Sequence, residues 1–173
     1  YRVWPAWKEV HAFDQKLLQA VRAIPGVTSA AIANAHPLDR GYTNSFTVVG
    51  REAEADDWPE ISVRVVTPDY FATLGVKVET GEGFSDADDA SAPAVAMINQ
   101  ESVRRFFPTQ DPIGQQIRFW GTARRIVGVV ADERIHGLTE TPPPSVYVPT
   151  GQNPRSAAVF ARIAARSFDH PTR

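Results

Sequence analysis

The sequence predicts an α+β fold with more strands than helices. Its first part contains one long stretch of helical periodicity, and most later apolar segments are short and bounded by glycine or proline. No repeat of about 20–50 residues and no heptad pattern is present, which excludes repeat architectures and coiled coils. The order of the segments predicts a discontinuous lobe, formed by residues 1–60 plus 157–173, and an inserted lobe formed by residues 61–156.

The long helix is predicted over residues 5–24. Its expected buried face consists of four apolar residues spaced by four, four and three positions: Phe13, Leu17, Val21 and Ile24. Pro25 and Gly26 then end the helix. Trp4 and Trp7 add apolar area near its start, and we interpret them as core residues rather than as contacts with a neighbouring chain.

Two strands follow this helix, predicted over residues 27–34 and 45–49 and separated by a loop. An acidic connector over residues 51–58 comes next, and its carboxylates are expected to be solvated. A further strand before residue 1 would complete a βαβ unit with these elements.

The next segment predicts a half-buried strand that turns sharply into a short helix. Apolar and more polar residues alternate over residues 61–66, with Arg64 in the polar set. Thr67 is expected to cap the helix and Pro68 to occupy its first position, while Gly75 ends it in the left-handed conformation.

The later elements follow from the same kinds of pattern. Asn99 is expected to cap a helix that runs to Phe107, and Gly121 and Thr122 are expected to form the turn of a hairpin. The remaining predicted strands cover residues 76–80, 94–98, 116–120, 125–130, 145–148 and 158–164.

Charge and composition exclude several classes of function. The chain has 18 basic and 20 acidic residues, so we expect neither a nucleic-acid partner nor binding to an anionic membrane surface. It has no cysteine, and no apolar run reaches the length of about 18 residues that predicts a membrane-spanning helix. Because the chain begins at Tyr1 and its only methionine is Met97, we expect it to be part of a longer protein.

The search for catalytic and metal-binding motifs gives no site. The four histidines lack the spacing of metal ligands: His11, His36, His136 and His170. Nucleophile-elbow, dinucleotide-binding and P-loop motifs are absent. We therefore predict no catalytic residue, no cofactor and no bound metal, and we predict that the chain is not an enzyme.

An acidic loop is the best candidate for a cation site. Asp86, Asp88 and Asp89 resemble the start of a calcium-binding loop, but Ser91 and Met97 stand where that loop needs glycine and glutamate. We therefore interpret the three carboxylates as part of a solvated loop.

Two arginine pairs flank aromatic residues and are the best candidates for a basic patch. They are Arg104–Arg105, beside Phe106 and Phe107, and Arg124–Arg125, near Trp120. In a chain with a net charge of −2 they are weak as a nucleic-acid site. We expect them on a helix surface and at a strand edge.

An ordered series of segments resembles one protein family. The most distinctive is VTPDYFATLG at residues 66–75. The others are LLQAVRAIPGV (17–27), HPL (36–38), FTV (46–48), VAMIN (95–99), RRFFP (104–108), DPIG (111–114), IVGVV (126–130) and PSVYVP (144–149). In order and spacing this set resembles the extracytoplasmic domain of MacB-type (FtsX-like) ABC transporter permeases. One difference is Glu82, because the family commonly has a basic residue there.

The resemblance implies a porter-like lobe built from βαβ units and an inserted mixed α/β lobe. It implies a position outside the cell membrane, between the first two spanning helices of a permease that acts as a dimer. ATP would be hydrolysed by an ATP-binding cassette on the same chain or on a separate subunit, and some members engage a periplasmic adaptor protein. The domain would couple that hydrolysis to movement outside the membrane, a mechanism called mechanotransmission, without catalytic residues of its own.

Two other classes of function stay open at this point. A soluble periplasmic module that binds a peptide or a lipid would need a closed apolar cavity of roughly several hundred cubic ångströms. An enzyme would need a cleft in which His36 or His136 lies within hydrogen-bonding distance of carboxylates.

Overall fold

Ten strands form one mixed sheet in the computed structural model, which describes residues 7–36, 39, 41–134, 137, 139–155 and 158–164. The strands are β1 (Val27–Ala33), β2 (Tyr42–Asn44), β3 (Thr47–Val48), β4 (Ile61–Val66), β5 (Val78–Gly81), β6 (Val95–Asn99), β7 (Gln116–Phe119), β8 (Thr122–Val130), β9 (Ser145–Pro149) and β10 (Ala158–Ile163). The helices are α1 (Trp7–Arg22), α2 (Tyr70–Leu74) and α3 (Gln100–Phe106), and a 3-10 helix covers Glu52–Asp57. The predicted α+β class is confirmed. Among these described helices, none has the length and apolar character needed to cross a bilayer.

The strands follow the order β10-β1-β4-β9-β6-β8-β7-β3, with β2 paired to β4 and β5 paired to β8. The β4–β9 and β6–β8 pairs are parallel, and the other pairs are antiparallel. The division into residues 1–60 plus 157–173 and residues 61–156 stays a prediction. Strand pairing crosses this division, because β2 pairs with β4 and β3 pairs with β7.

Both faces of the central strands are buried. Ala96 and Ile98 of β6 belong to one apolar cluster, and Val95 and Met97 belong to another. This alternation follows from the strand geometry, in which consecutive side chains point to opposite faces of the sheet. A third and smaller cluster lies where α1 packs against β1.

The buried face of α1 differs from the predicted one. Phe13 and Ile24 are 62% and 54% exposed, whereas Asp14 and Leu18 are buried. Leu18 packs against small and branched residues of β1, and Leu17 and Val21 lie only at the edge of that contact. The prediction was wrong in the outer members of the stripe, because the helix buries the side that carries Asp14 and Leu18 instead of Phe13, and because Ile24 lies beyond the helix end at Arg22. Trp4 and the side chain of Trp7 lie outside the described part of the structure.

Strand β4 is buried along its whole length, so the prediction of a solvent-facing side was wrong. The cause is that apolar clusters cover both faces of the sheet at this strand, since Ile61 and Val63 belong to one cluster and Val66 belongs to another. Arg64 is therefore only 1% exposed.

The turn into α2 uses its residues differently from the prediction. The Thr67 hydroxyl accepts a hydrogen bond from the Ile32 backbone N–H at 2.9 Å, so it joins β4 to β1 instead of capping the helix. The helix begins at Tyr70, and Pro68 lies in the preceding turn. Gly75 ends the helix in the left-handed conformation, with φ of 75°, as predicted.

The predictions for α3 and the hairpin are confirmed in their main features. The Asn99 side chain accepts a hydrogen bond from the Ser102 backbone N–H at 3.0 Å and so caps α3. In the β7–β8 hairpin, the turn residues are Trp120 and Gly121, with φ of 51° and 73°, one position earlier than predicted.

Candidate functional site

A polar cluster connects four elements at one end of the central strands. The carboxyl group of Glu133, in the segment after β8, accepts a hydrogen bond from the Tyr70 hydroxyl of α2 at 3.0 Å. It accepts a second bond from the Tyr147 hydroxyl of β9. Both tyrosines are almost completely buried. A single carboxyl group therefore holds two side chains from elements that are far apart in sequence.

Arg64 is the fourth member of this cluster. It lies opposite Tyr147 in the parallel β4–β9 pair. Its Nη1 donates to the His36 carbonyl at 3.2 Å and its Nη2 donates to the Asp39 carbonyl at 2.7 Å. Among the described residues, its Nε has no hydrogen-bond partner. The guanidinium therefore fastens the loop after β1 to the middle of the sheet.

The electrostatics of the cluster favour protonated phenols. Burial raises the pKa of both Tyr70 and Tyr147 above the ordinary value of 10.0, and the negative charge of Glu133 raises it further. Arg64 lowers both pKa values, but this effect is smaller. Both hydroxyls therefore keep their protons at neutral pH and act as hydrogen-bond donors.

This arrangement suits a structural joint better than a catalytic centre. A phenol whose pKa is raised is a poor base and nucleophile at neutral pH. The cluster instead links the loop after β1 and the segment after β8 to the sheet. Beside it, an open cleft of about 400 Å³ is lined by residues 74–77 and 131–134.

The sequence contains one local signal for this cluster, the charged residue in strand β4. Arg64 interrupts an otherwise apolar or small strand, and a charged residue in such a strand needs buried partners. Tyr70 was part of the most distinctive segment, but its partner Glu133 is 63 positions away.

The described histidines do not form a site together. His11 is half-buried on α1, beside an open cleft of about 590 Å³ that also contacts Asp89 and Ser91. His36 is exposed, and its ring centroid lies 6.1 Å from that of Phe160. The predictions for His136 and His170 fall outside the described residues.

The acidic loop uses two of its carboxylates to hold its own backbone. Asp88 accepts hydrogen bonds from the backbone N–H of Ser85 at 2.7 Å and from its hydroxyl at 3.2 Å. Asp89 does the same with Ser91, and these hydrogen bonds lower the pKa of Asp89. Asp86 is exposed. Over the described residues, no three acidic or histidine side chains are grouped so that they could hold a metal ion.

The Arg104–Arg105 pair lies on the surface of α3, as predicted. Both residues form ion pairs with Glu101, and Arg104 also pairs with Asp132. Burial would raise the pKa of Glu101, but the hydrogen bonds and charges of Arg105 and Arg104 lower it overall. These positive charges are therefore largely neutralised within the domain.

The prediction of a strand edge for Arg124–Arg125 was wrong. Strand β8 lies inside the sheet, because β6 and β7 flank it. Arg124 is buried, with its guanidinium carbon 4.4 Å from the centroid of the Phe119 ring, while Arg125 on the opposite face of the strand is exposed.

Comparison with known proteins identifies the family. The family model described as MacB-like periplasmic core domain matches residues 1–170. The macrolide export ATP-binding/permease protein MacB 2 of Aeromonas hydrophila is 32% identical over 127 residues, which is 72% of this chain and 17% of that protein. The uncharacterized ABC transporter permease YknZ of Bacillus subtilis is 22% identical over 137 residues, which is 79% of this chain and 31% of that protein. The chain therefore spans less than a third of the length of these relatives.

Solved structures show the same fold at low sequence identity. The periplasmic region of MacB from Actinobacillus actinomycetemcomitans has a TM-score of 0.64 at 13% identity, covering 89% of this chain and 67% of that one. The extracellular domain of the transporter YknZ from Gram-positive bacteria has a TM-score of 0.60 at 15% identity, covering 93% and 80%. The chain belongs to the MacB-like periplasmic core domain family and is an extracytoplasmic domain of a MacB-like ABC transporter permease.

Proposed function

We propose that this domain transmits movement and has no catalytic activity of its own. In the parent permease it couples ATP hydrolysis by a cytoplasmic ATP-binding cassette to a displacement outside the membrane. The permease acts as a dimer of two such chains, and the extracytoplasmic domain contacts a periplasmic adaptor or the transported substrate. Relatives that are ABC permeases support this proposal.

The continuity of the sheet is the observation that carries the proposal. Eight strands form one uninterrupted hydrogen-bonded path from β10 to β3, and the remaining two pair with β4 and β8. A displacement applied at one edge therefore moves the whole body, because closely packed interiors deform little. The Arg64 and Glu133 contacts extend this rigidity to two loops at one end of the sheet.

Spin labelling in the parent permease tests the proposal directly. The chain has no cysteine, so Lys16→Cys on α1 or Thr109→Cys after α3 gives one exposed label per domain once any cysteine elsewhere in the permease is replaced by serine. The permease and its ATP-binding cassette are reconstituted in lipid nanodiscs, and distances between the two labels of the dimer are measured by pulsed electron resonance.

We expect the distance distribution to change, for both labels, between the nucleotide-free state and the state trapped with ATP and vanadate. A cassette variant that cannot hydrolyse ATP serves as the control and should not reach the trapped distribution. Identical distributions in both states, in a preparation that hydrolyses ATP, would show that the domain does not transmit movement.

The alternative of a soluble module with its own peptide or lipid pocket gains no support from the two clefts described above. Both are open to solvent, and the lining of the larger one includes the ionisable side chains of Lys8, His11 and Asp89. A lipid or an apolar peptide needs an enclosed and mostly apolar site.

A further inference from the structure

Trp120 holds an unusual backbone conformation at the β7–β8 turn. Its φ of 51° is the one positive value outside glycine in the described residues. Turns of this kind favour asparagine, aspartate or glycine, because the left-handed conformation is strained for other residues. A large aromatic residue at this position points to a role for its side chain.

Two arginines converge on the Trp120 indole. The guanidinium carbon of Arg124 lies 5.6 Å from the ring centroid, and that of Arg155 lies 5.2 Å from it. Tyr42 completes the group, with its ring centroid 5.8 Å from that of Trp120. The four side chains come from β2, the hairpin turn, β8 and the segment after β9.

The two arginines of this group form no ion pair with a carboxylate among the residues that the structure describes. Arg124 is only 6% exposed, and its Nη1 donates hydrogen bonds to the Phe119 and Thr122 carbonyls at 3.0 and 3.1 Å. Burial lowers the pKa of Arg124.

One donor group of this cluster is also left unused. In the described part of the chain, the buried Arg124 Nε has no hydrogen-bond partner. Burial raises the pKa of Tyr42, and the charge of the Arg155 guanidinium and its hydrogen bond to the Tyr42 hydroxyl oppose this. A buried charged group with an unpaired donor is costly, and a negative charge bound nearby offsets part of that cost.

We infer that the surface around Trp120 binds an oxyanion of the carboxylate or phosphate class. Arg155 is exposed and makes the first contact, because its planar fork of N–H donors fits two oxygens of one anion. Trp120 holds that guanidinium in position, and the charge of Arg124 strengthens the local positive potential. The oxyanion is supplied either by a small free anion or by the headgroup of an anionic phospholipid. This inference does not depend on the coupling function proposed above.

Solution NMR of the indole groups tests the site. The chain has four tryptophans, so the ¹⁵N-labelled protein gives four indole N–H signals, and Trp120→Phe identifies the one from the turn. Sodium phosphate and sodium acetate are titrated at constant ionic strength against sodium chloride. In separate samples, vesicles of phosphatidylglycerol are compared with vesicles of phosphatidylcholine.

Two variants that each remove one positive charge distinguish binding at this site from nonspecific attraction of anions. R155Q removes the exposed guanidinium of the site, whereas R125Q removes an exposed guanidinium from the opposite face of β8. For a free anion, we expect a saturable shift of the Trp120 signal that is weakened about tenfold or more in R155Q and unchanged in R125Q. For a lipid headgroup, we expect the Trp120 signal to be lost with phosphatidylglycerol vesicles and kept with phosphatidylcholine vesicles. This loss should be weakened in R155Q and unchanged in R125Q.

Either of these results supports the inference and identifies the source of the oxyanion. The inference is overturned if neither anion produces a shift beyond that of chloride and neither vesicle affects the signal. It is equally overturned if R155Q and R125Q weaken the response to the same extent.

Discussion

The substitution Arg64→Met tests whether the buried cluster fastens the loop after β1. Methionine keeps most of the apolar volume of the side chain but removes the two hydrogen bonds to the His36 and Asp39 carbonyls. Hydrogen bonds from charged groups contribute about 1.5–3 kcal/mol each, so the gross loss is about 3–6 kcal/mol. The variant no longer has to desolvate a buried guanidinium, which offsets part of that loss. We therefore expect a net decrease of about 2–4 kcal/mol in the free energy of unfolding.

Urea unfolding followed by circular dichroism measures this change, with Arg118→Met as the matched control. Arg118 is exposed on β7, and its replacement should change the stability by less than about 0.5 kcal/mol. Hydrogen exchange of peptides that contain Asp39 adds a local readout, because the freed loop should exchange faster in the Arg64 variant alone. A loss below about 1 kcal/mol, or exchange equal to that of the control, would refute the role assigned to Arg64.

The other predictions concern the phenols and the cap of α3. Because the pKa values of Tyr70 and Tyr147 are raised in the folded state, their contribution is fully present below the unfolded pKa of about 10 and is lost as the pH rises above it. The free energy of unfolding should therefore fall between pH 9 and pH 11, and the fall should be smaller in the double variant with phenylalanine at both positions. If the free energy of unfolding falls equally with pH in the two proteins, the prediction is wrong. Asn99→Ala should cost about 2–4 kcal/mol, because the buried Asn99 side chain bonds the Ser145 backbone N–H at 2.9 Å as well as capping α3. Thermal unfolding of this variant is compared with that of Asn44→Ala, and similar midpoints would argue against the cap.

Local sequence patterns were sufficient to predict the features that depend on one short segment of the chain. Asn99 and Gly75 are correct as helix boundaries because capping and left-handed ends depend on a few neighbouring residues. The hairpin was predicted correctly for the same reason. Its turn was placed one position too late because Trp120 stands before the glycine, where asparagine or aspartate is usual.

Long-range pairing explains the predictions that failed. Whether Arg64 faces solvent depends on β9, which lies about 80 positions later in the chain and pairs with β4. The rotation of α1 likewise depends on which side of β1 receives Leu18. Apart from the charge of Arg64 in an otherwise apolar or small strand, the Glu133 cluster has no local signature, because its members come from four separate elements.

The packing of β5 against β8 adds a physical argument for transmission through the sheet. A Cβ on Gly128 would lie 2.3 Å from the Glu82 carbonyl oxygen, and one on Gly81 would lie 2.2 Å from the Val127 carbonyl oxygen. The two backbones therefore touch, and neither strand can slide past the other without losing hydrogen bonds. A displacement of the segment around Gly81 must carry β8 with it, and β8 is bonded to β6 and β7. Glu133 lies three residues after the end of β8 and accepts hydrogen bonds from α2 and β9, so the proposed displacement of β8 would also reach these two elements.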